Sequence, residues 1–191
     1  MKLNLIHYPL NSLGPDERIG VWFQGCSIHC NGCMSKHTWN PNEGFEFNVD
    51  EVMRSISYHN SKFITISGGE PFEQSEELYK LLKALKKSDY EVLVYSGFHY
   101  EYLKNNYFYI LDLIDVLIDG PFDNSQKTNL SPKGSNNQQM IILSNKTTLT
   151  QRYSQWAQKM QENLQIIQAD NQMYILGITQ HNIKEMVNDT I

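Results

Sequence analysis

Short hydrophobic runs alternate with helical patterns along most of this chain. Residues 18–24, 62–67 and 90–95 are short, β-branched and aromatic, which predicts three buried strands. Each run is followed by a turn or loop and then by a segment with apolar residues at helical spacing. Because strand and helix recur in this order, the pattern predicts an α/β fold with a mostly parallel sheet and right-handed crossovers.

The other elements follow from the same patterns. We expect helices over residues 48–58, 74–87 and 150–163 and from about residue 100, strands over 116–118 and 140–143, and a C-terminal β-hairpin over 164–167 and 173–178. The polar stretch over residues 123–139 predicts a long loop, and loops of that length are usually functional or mobile. Because the chain has the length of one ordinary domain, we expect residues 1–180 to form a single domain and residues 181–191 a polar tail.

Small residues follow each predicted strand, at the point where the strand ends. They are Gly25 with Cys26, Gly68 with Gly69, Ser96 with Gly97, and Asp119 with Gly120. In a parallel sheet the carboxyl ends of the strands share one edge, and ligands bind beside that edge. We therefore expect the cysteines, Glu70 and Asp119 to converge in space.

The three cysteines of this 191-residue chain all lie between positions 26 and 33. An odd number in one short window excludes a disulfide scaffold and indicates a metal or cluster site in a reducing compartment. The formal net charge of −5 argues against non-specific binding to a phosphate backbone. No apolar run is long enough for a transmembrane helix, and the N-terminus is too short and polar for a secretory signal. We therefore expect a cytoplasmic protein that binds neither nucleic acid nor membranes.

Cys26, Cys30 and Cys33 have the spacing C-x3-C-x2-C. Three thiolates on a tight loop can each bind one iron of a [4Fe–4S] cluster, and the fourth iron is then open to a ligand that is not protein. The competing hypothesis is zinc, because His37 completes a Cys3His set and His29 is a second candidate ligand. On that hypothesis the chain is a zinc-stabilised interaction module without enzymatic activity.

The turn over residues 68–71, Gly-Gly-Glu-Pro, is a second candidate binding element. Two glycines after a buried strand let a backbone approach a ligand closely. Glu70 then offers a carboxylate that can accept a hydrogen bond from an ammonium group. The alternative is structural, because a glutamate at the start of a helix also suits the helix dipole.

Together these motifs resemble the radical S-adenosylmethionine (SAM) superfamily, and most closely the small activating enzymes of anaerobic ribonucleotide reductase and their single-cluster relatives. The similarity runs from about residue 11 to 143, over segments 14–18, 22–26, 31–33, 38–39, 67–71, 95–98, 115–122 and 134–138. Two segments depart from that pattern. Asp16 stands where the family usually has glycine, and residues 130–133 stand where it usually has Arg-Pro-Trp. Both are expected to flank the mouth of the site, so the identity of the partner stays open.

The resemblance implies a fold, cofactors and a reaction. The fold would be an incomplete radical SAM β/α barrel whose lateral opening suits a large substrate. SAM would chelate the open iron of the [4Fe–4S] cluster, and an electron from a flavodoxin- or ferredoxin-like donor would cleave SAM to a 5′-deoxyadenosyl radical. That radical would abstract a hydrogen atom and so generate a glycyl radical on a partner such as an anaerobic ribonucleotide reductase. The alternative within the superfamily is modification of a small molecule or a peptide.

The resemblance also implies roles for individual residues. Carried over position by position, they are Cys26, Cys30 and Cys33 for the cluster, Gly68, Gly69 and Glu70 for the SAM amino group, and Ser96 and Asp119 for the SAM sugar or carboxylate. Asp119 has an alternative role as a carboxylate that caps its own turn. Asn137 and Gln138 could line the substrate side or be solvated loop residues.

Overall fold

A seven-stranded sheet lies at the centre of the computed structural model, which describes residues 1–128, 132–158, 164–169 and 172–178. Its strands are β1 (Lys2–Leu10), β2 (Arg18–Phe23), β3 (Phe45–Glu46), β4 (Phe63–Gly68), β5 (Glu91–Tyr95), β6 (Val116–Asp119) and β7 (Gln139–Ile142). The helices are α1 (Val49–Ser57), α2 (Ser75–Lys87), α3 (Tyr100–Leu111) and α4 (Thr147–Ala157). Two further strands, β8 (Gln165–Ala169) and β9 (Gln172–Leu176), pair antiparallel with each other. The predicted tail over residues 181–191 lies outside the described residues.

The central strands of the sheet run parallel. In the order β3-β1-β2-β4-β5-β6-β7, parallel pairing joins β2, β4, β5 and β6. The outer strands β1, β3 and β7 pair antiparallel with their neighbours. The predicted α/β class with a parallel central sheet is confirmed. Strands β1 and β3 are additions to the prediction, and the antiparallel direction of β7 does not follow from the hydrophobic pattern.

The two faces of the sheet pack against different elements. Because side chains alternate along a strand, Ile66, Val94 and Leu117 point to one face, where they join the core formed by α1, α2 and α3. On the opposite face, Leu93 and Ile118 pack against α4. The same face packs beside β1 and β2 against the hairpin formed by β8 and β9. Cys26, Glu70 and Ser96 lie just beyond the carboxyl ends of the parallel strands β2, β4 and β5.

Two helices show how local chemistry and packing set their limits. Helix α1 begins at a capping box, in which the Asn48 side chain accepts from the Glu51 backbone N–H and Glu51 accepts in return. Helix α4 begins at Thr147 rather than at the predicted residue 150. Its first turn includes Leu149, which is buried against the sheet, so burial of this residue favours the earlier start. Residues 159–163, the predicted end of this helix, lie outside the described part of the chain. No described helix is both long enough and apolar enough to cross a membrane.

The expectation that Asp16 flanks the mouth of the site is wrong. Asp16 precedes the first residue of β2, at the end of that strand opposite to the cysteine loop, and its carboxylate pairs with Arg152 Nε on α4 at 3.3 Å. Its neighbour Arg18 is fully buried there, and its guanidinium donates to Thr65 Oγ1 at 2.7 Å and to the Ile64 carbonyl at 2.7 Å. The segment before β2 therefore stabilises the amino end of the sheet.

Candidate active site at the carboxyl edge of the sheet

The turns that follow β2, β4, β5 and β6 open into one cavity of about 190 Å³. Among the residues that line it are Cys26, Cys30, Cys33, Gly68, Gly69, Glu70, Ser96 and Gln138. Asp119 is not among the lining residues. The structure thus brings together every predicted cluster and cofactor residue except Asp119.

The cysteine loop is held closed at its base by the backbone. The Gly25 N–H donates to the Thr38 carbonyl at 2.7 Å, and the Cys26 N–H donates to the Trp39 carbonyl at 3.1 Å. The Gln24 side chain adds a hydrogen bond to the Asn40 carbonyl at 2.8 Å. These three hydrogen bonds join the residues at the start of the cysteine loop to residues 38–40 at its end.

Glu73 ties the start of the same loop to the turn after β4. One of its carboxylate oxygens accepts from the Ser27 backbone N–H at 2.8 Å and from the Ser27 hydroxyl at 2.6 Å. Neither Glu73 nor Gln24 belongs to the predicted site. Gln24 could have been found from the sequence, because it is a polar residue that ends an apolar strand next to Gly25 and Cys26.

All three thiols are partly buried beside the cavity. Burial raises the pKa of Cys26, while the backbone N–H groups of His29 and Ile28 oppose that rise. Burial also raises the pKa of Cys30, and the Phe122 N–H opposes it. Metal ligation by these two groups requires loss of their thiol protons.

The two histidines of the zinc hypothesis pack against aromatic rings. His29 stacks on Trp39 with the ring centroids 4.4 Å apart, and His37 meets the ring of Tyr174 edge-on at 6.0 Å. In the described ranges, no three His, Cys, Asp or Glu side chains form a group suited to one metal ion. A [4Fe–4S] cluster does not need such a group, because each thiolate binds a separate iron.

Glu70 is a buried carboxylate with three protein donors. One oxygen accepts from the Phe72 N–H at 3.0 Å and from the Ser96 hydroxyl at 2.9 Å, and the other accepts from the Gly97 N–H at 2.7 Å. Burial raises the pKa of Glu70 to about 7, against the opposing effect of these hydrogen bonds. A cation placed beside this group would favour its charged form.

The two glycines before Glu70 are required by the cysteine loop. A Cβ at Gly69 would lie 2.0 Å from the Gly25 carbonyl oxygen, and one at Gly68 would lie 2.3 Å from the Phe23 carbonyl oxygen. Gly68 also has a φ of +111°, which an L side chain rarely adopts. We expected these glycines to admit a ligand, and the structure shows that they also let two backbone turns meet.

Ser96 and Asp119 have different surroundings. The Ser96 hydroxyl, besides donating to Glu70, accepts from the Phe98 N–H at 3.1 Å and so orders the turn after β5. The buried Asp119 carboxylate accepts from the Tyr100 N–H at 2.7 Å and from the Gln139 N–H at 3.0 Å. Asp119 thus joins the start of α3 to the start of β7, in agreement with the alternative role of a capping carboxylate.

The loop before β7 contributes Gly134 and Gln138 to the lining of the cavity. Gln138 accepts from the Gly134 N–H at 2.9 Å and donates to the Gly120 carbonyl at 2.8 Å. Asn137 donates to the Pro121 carbonyl at 2.8 Å. Both predicted substrate-side residues therefore hydrogen-bond to backbone groups, and Gln138 alone of the two lines the cavity.

A family model for a 4Fe-4S single cluster domain matches residues 12–141. The chain belongs to this family. The anaerobic ribonucleoside-triphosphate reductase-activating protein of Enterobacteria phage T4 is 28% identical over 141 residues, which cover 70% of this chain and 89% of that protein. The protein of that name from Escherichia coli (strain K12) is 29% identical over 143 residues, covering 69% and 93%. The pyruvate formate-lyase-activating enzyme of Clostridium pasteurianum is 32% identical over 118 residues, covering 56% and 50%.

Membership of the 4Fe-4S single cluster domain family confirms the predicted resemblance to radical SAM activating enzymes. The family match and the similarity to these activating enzymes confirm the predicted cofactors of this chain, a [4Fe–4S] cluster and SAM. The cluster is thereby favoured over the zinc site. The family match ends at residue 141, before α4 and the β8–β9 hairpin.

Proposed function

We propose that this chain is a radical SAM enzyme that generates a glycyl radical on a partner protein, such as an anaerobic ribonucleotide reductase. The observation that carries the proposal is that three thiols and a buried carboxylate line the same cavity at the carboxyl edge of the sheet. The names of the three relatives described above support activation of a glycyl radical enzyme as the function.

Cys26, Cys30 and Cys33 are the residues that would hold the [4Fe–4S] cluster. The donor set fits this group, because the chain has three cysteines and all three line the cavity, which leaves one iron for a ligand that is not protein. When bound, the cluster and SAM supply one-electron cleavage of SAM and hydrogen-atom abstraction by the resulting 5′-deoxyadenosyl radical. The electron would come from a flavodoxin- or ferredoxin-like protein.

Glu70 would receive the ammonium group of SAM. It is the one charged side chain among the described residues that line the cavity, apart from any charge on the cysteines or His37. SAM carries a net positive charge, so it would stabilise the carboxylate form of Glu70 and lower a pKa that burial alone raises. Ser96 holds one Glu70 oxygen in place, and the turn of Gly68 and Gly69 would form the adjoining backbone wall.

Asp119 would act as a positioning residue. Its hydrogen bonds to the starts of α3 and β7 fix the turn at Gly120, which borders the cavity. This assignment differs from direct contact with the sugar or carboxylate of SAM, which the resemblance implies.

The sheet and hairpin suit an incomplete barrel that is open at the side. We infer that residues 1–180 form one such radical SAM domain, with β8 and β9 as an extension beyond the family core. In this arrangement the opening beside the sheet would admit a loop of the partner protein, and hydrogen abstraction would take place at a glycine Cα within that loop.

The test is to mix the cluster-loaded protein, SAM and dithionite without oxygen with the anaerobic ribonucleotide reductase encoded nearest to its gene. We expect a glycyl radical signal on the reductase by electron paramagnetic resonance. A reductase whose radical-site glycine is replaced by alanine is the matched control and should give no signal. Absence of a radical on the reductase while SAM is still cleaved would contradict activation and point to a small molecule or a peptide as substrate.

A further inference from the structure

Backbone hydrogen bonds join the end of β2 to the turn that carries Glu70. The Gly69 N–H donates to the Phe23 carbonyl at 2.8 Å, and the Glu70 N–H donates to the Gly25 carbonyl at 2.8 Å. The next residue after Gly25 is Cys26, the first cysteine of the loop. These bonds therefore fix the turn against the backbone immediately before the first cysteine.

Glu73 continues this junction on the other side of Cys26. Its Oε1 accepts both from the Ser27 backbone N–H at 2.8 Å and from the Ser27 hydroxyl at 2.6 Å. Glu73 belongs to the short 3-10 helix that begins at Pro71, and its own N–H donates to the Glu70 carbonyl at 3.1 Å. One short segment thus carries both the buried carboxylate of the cavity and an anchor for the cysteine loop.

The surroundings of Glu73 indicate that it acts on the loop. Glu73 is exposed and is not among the described residues that line the cavity, whereas Glu70 is buried and lines it. Burial is the main cause of the raised pKa of Cys26 and of Glu70, and the nearby Glu73 charge adds to both rises. Glu73 therefore lies close to both groups without facing the space between them.

We propose that Glu73 is a positioning residue that sets the separation between the first cluster cysteine and Glu70 by holding Ser27 on the segment that carries Glu70. The inference deepens the proposed function and rests on it, because SAM would contact the open iron on one side and Glu70 on the other. A ligand that contacts two elements binds more tightly when their separation is fixed before binding, since less ordering is then required.

Two variants of Glu73 separate the hydrogen bonds from the charge. Glu73→Ala removes the acceptor, whereas Glu73→Gln keeps a side-chain oxygen that can accept both hydrogen bonds from Ser27. On the cluster-loaded protein without oxygen, we expect Glu73→Ala to weaken SAM binding about fivefold and Glu73→Gln to stay within twofold of the wild type. Iron content should be unchanged in both variants. Glu76→Ala, at an exposed position on α2, is the control and should match the wild type.

Three outcomes would overturn the positioning role. The first is wild-type affinity for SAM in Glu73→Ala. The second is equal weakening in Glu73→Ala and Glu73→Gln, because the charge would then attract the SAM cation directly and the hydrogen bonds to Ser27 would not matter. The third is loss of iron from Glu73→Ala, which would show that Glu73 is needed to retain the cluster rather than to set a separation.

Amide hydrogen exchange in the full-length chain without cluster separates failure of this proposal from failure of the proposed function. We expect the Ser27 amide to exchange about tenfold faster in Glu73→Ala than in the wild type, with Glu73→Gln close to the wild type. Equal rates in the wild type and Glu73→Ala would overturn the proposal. If the cluster-loaded wild type neither binds nor cleaves SAM, the radical SAM function is wrong, and the exchange rates still decide whether Glu73 holds Ser27.

Discussion

Replacement of Cys30 by alanine should abolish cleavage of SAM, to below about one thousandth of the wild-type rate, because two thiolates cannot hold a [4Fe–4S] cluster stably. No other cysteine in the chain can replace it. The loop itself should keep its shape, since the hydrogen bonds that close its base do not involve Cys30. The measurements are iron content after anaerobic reconstitution and the rate of 5′-deoxyadenosine formation with dithionite.

Asn31→Ala is the matched control for Cys30→Ala. Asn31 is the next residue of the same loop and is exposed, so its truncation should leave both iron content and turnover unchanged. Retained turnover in Cys30→Ala would show that the loop is not the cluster site. Loss of turnover in both variants would indicate a general disturbance of the loop and would remove support for a specific role of Cys30.

Replacement of Glu70 by glutamine should weaken SAM binding by about tenfold or more and leave the cluster in place, because a buried charge–charge hydrogen bond is lost. The amide would also turn an N–H group toward a backbone or hydroxyl donor, since Glu70 accepts three hydrogen bonds from the protein. The dissociation constant for SAM, measured anaerobically on the cluster-loaded protein, gives the result. Glu76→Gln, at an exposed position on α2, is the control.

The pH dependence of stability tests whether the Glu70 carboxyl is buried, and the affinity for SAM then distinguishes a binding role from a capping role. Its pKa is raised from 4.5 to about 7 in the folded chain, so the folded state binds more protons than the unfolded state between these values. The free energy of unfolding should therefore fall by about 3 kcal/mol as the pH rises from 4.5 to 7, and Glu70→Gln should lack this fall. If that difference appears while the affinity for SAM is unchanged, Glu70 is a structural cap and the proposed SAM contact is wrong.

Much of the site could be predicted because its signals are local in sequence. The cysteine spacing and the Gly-Gly-Glu turn are contiguous motifs, and the strands before them are continuous apolar runs, as expected for buried parallel strands. The rule that parallel strands end at one edge then places the motifs together without knowledge of the tertiary contacts. The structure brings Cys26, Glu70 and Ser96 to one cavity in this way.

Strand β1 could not be predicted, because its hydrophobic pattern does not alternate. The pairing of β1 with β2 is irregular between Leu3 and Leu5 and again between His7 and Leu10. As a result Leu3 and Ile6 face one core while Leu5 and Leu10 face the other. Irregular pairing depends on contacts with a strand elsewhere in the chain, so a window of residues 2–10 does not reveal it.

The role of Asp119 shows a second limit of sequence reasoning. Position at the end of a strand indicates the correct edge of the sheet, but the direction of the side chain depends on the strand's register. Asp119 turns to the starts of α3 and β7 instead of to the cavity. Glu73 shows the opposite limit, because a residue that no sequence motif marks can still contribute to the site. Its carboxylate accepts two hydrogen bonds from Ser27, the residue after the first cysteine.

Metal analysis of the protein purified and reconstituted without oxygen tests the central claim most directly. The account predicts about four irons per chain, no stoichiometric zinc, and a resonance of the reduced cluster that shifts when SAM is added, because one iron lacks a cysteine ligand. A colourless protein that holds one zinc ion and no iron would contradict it.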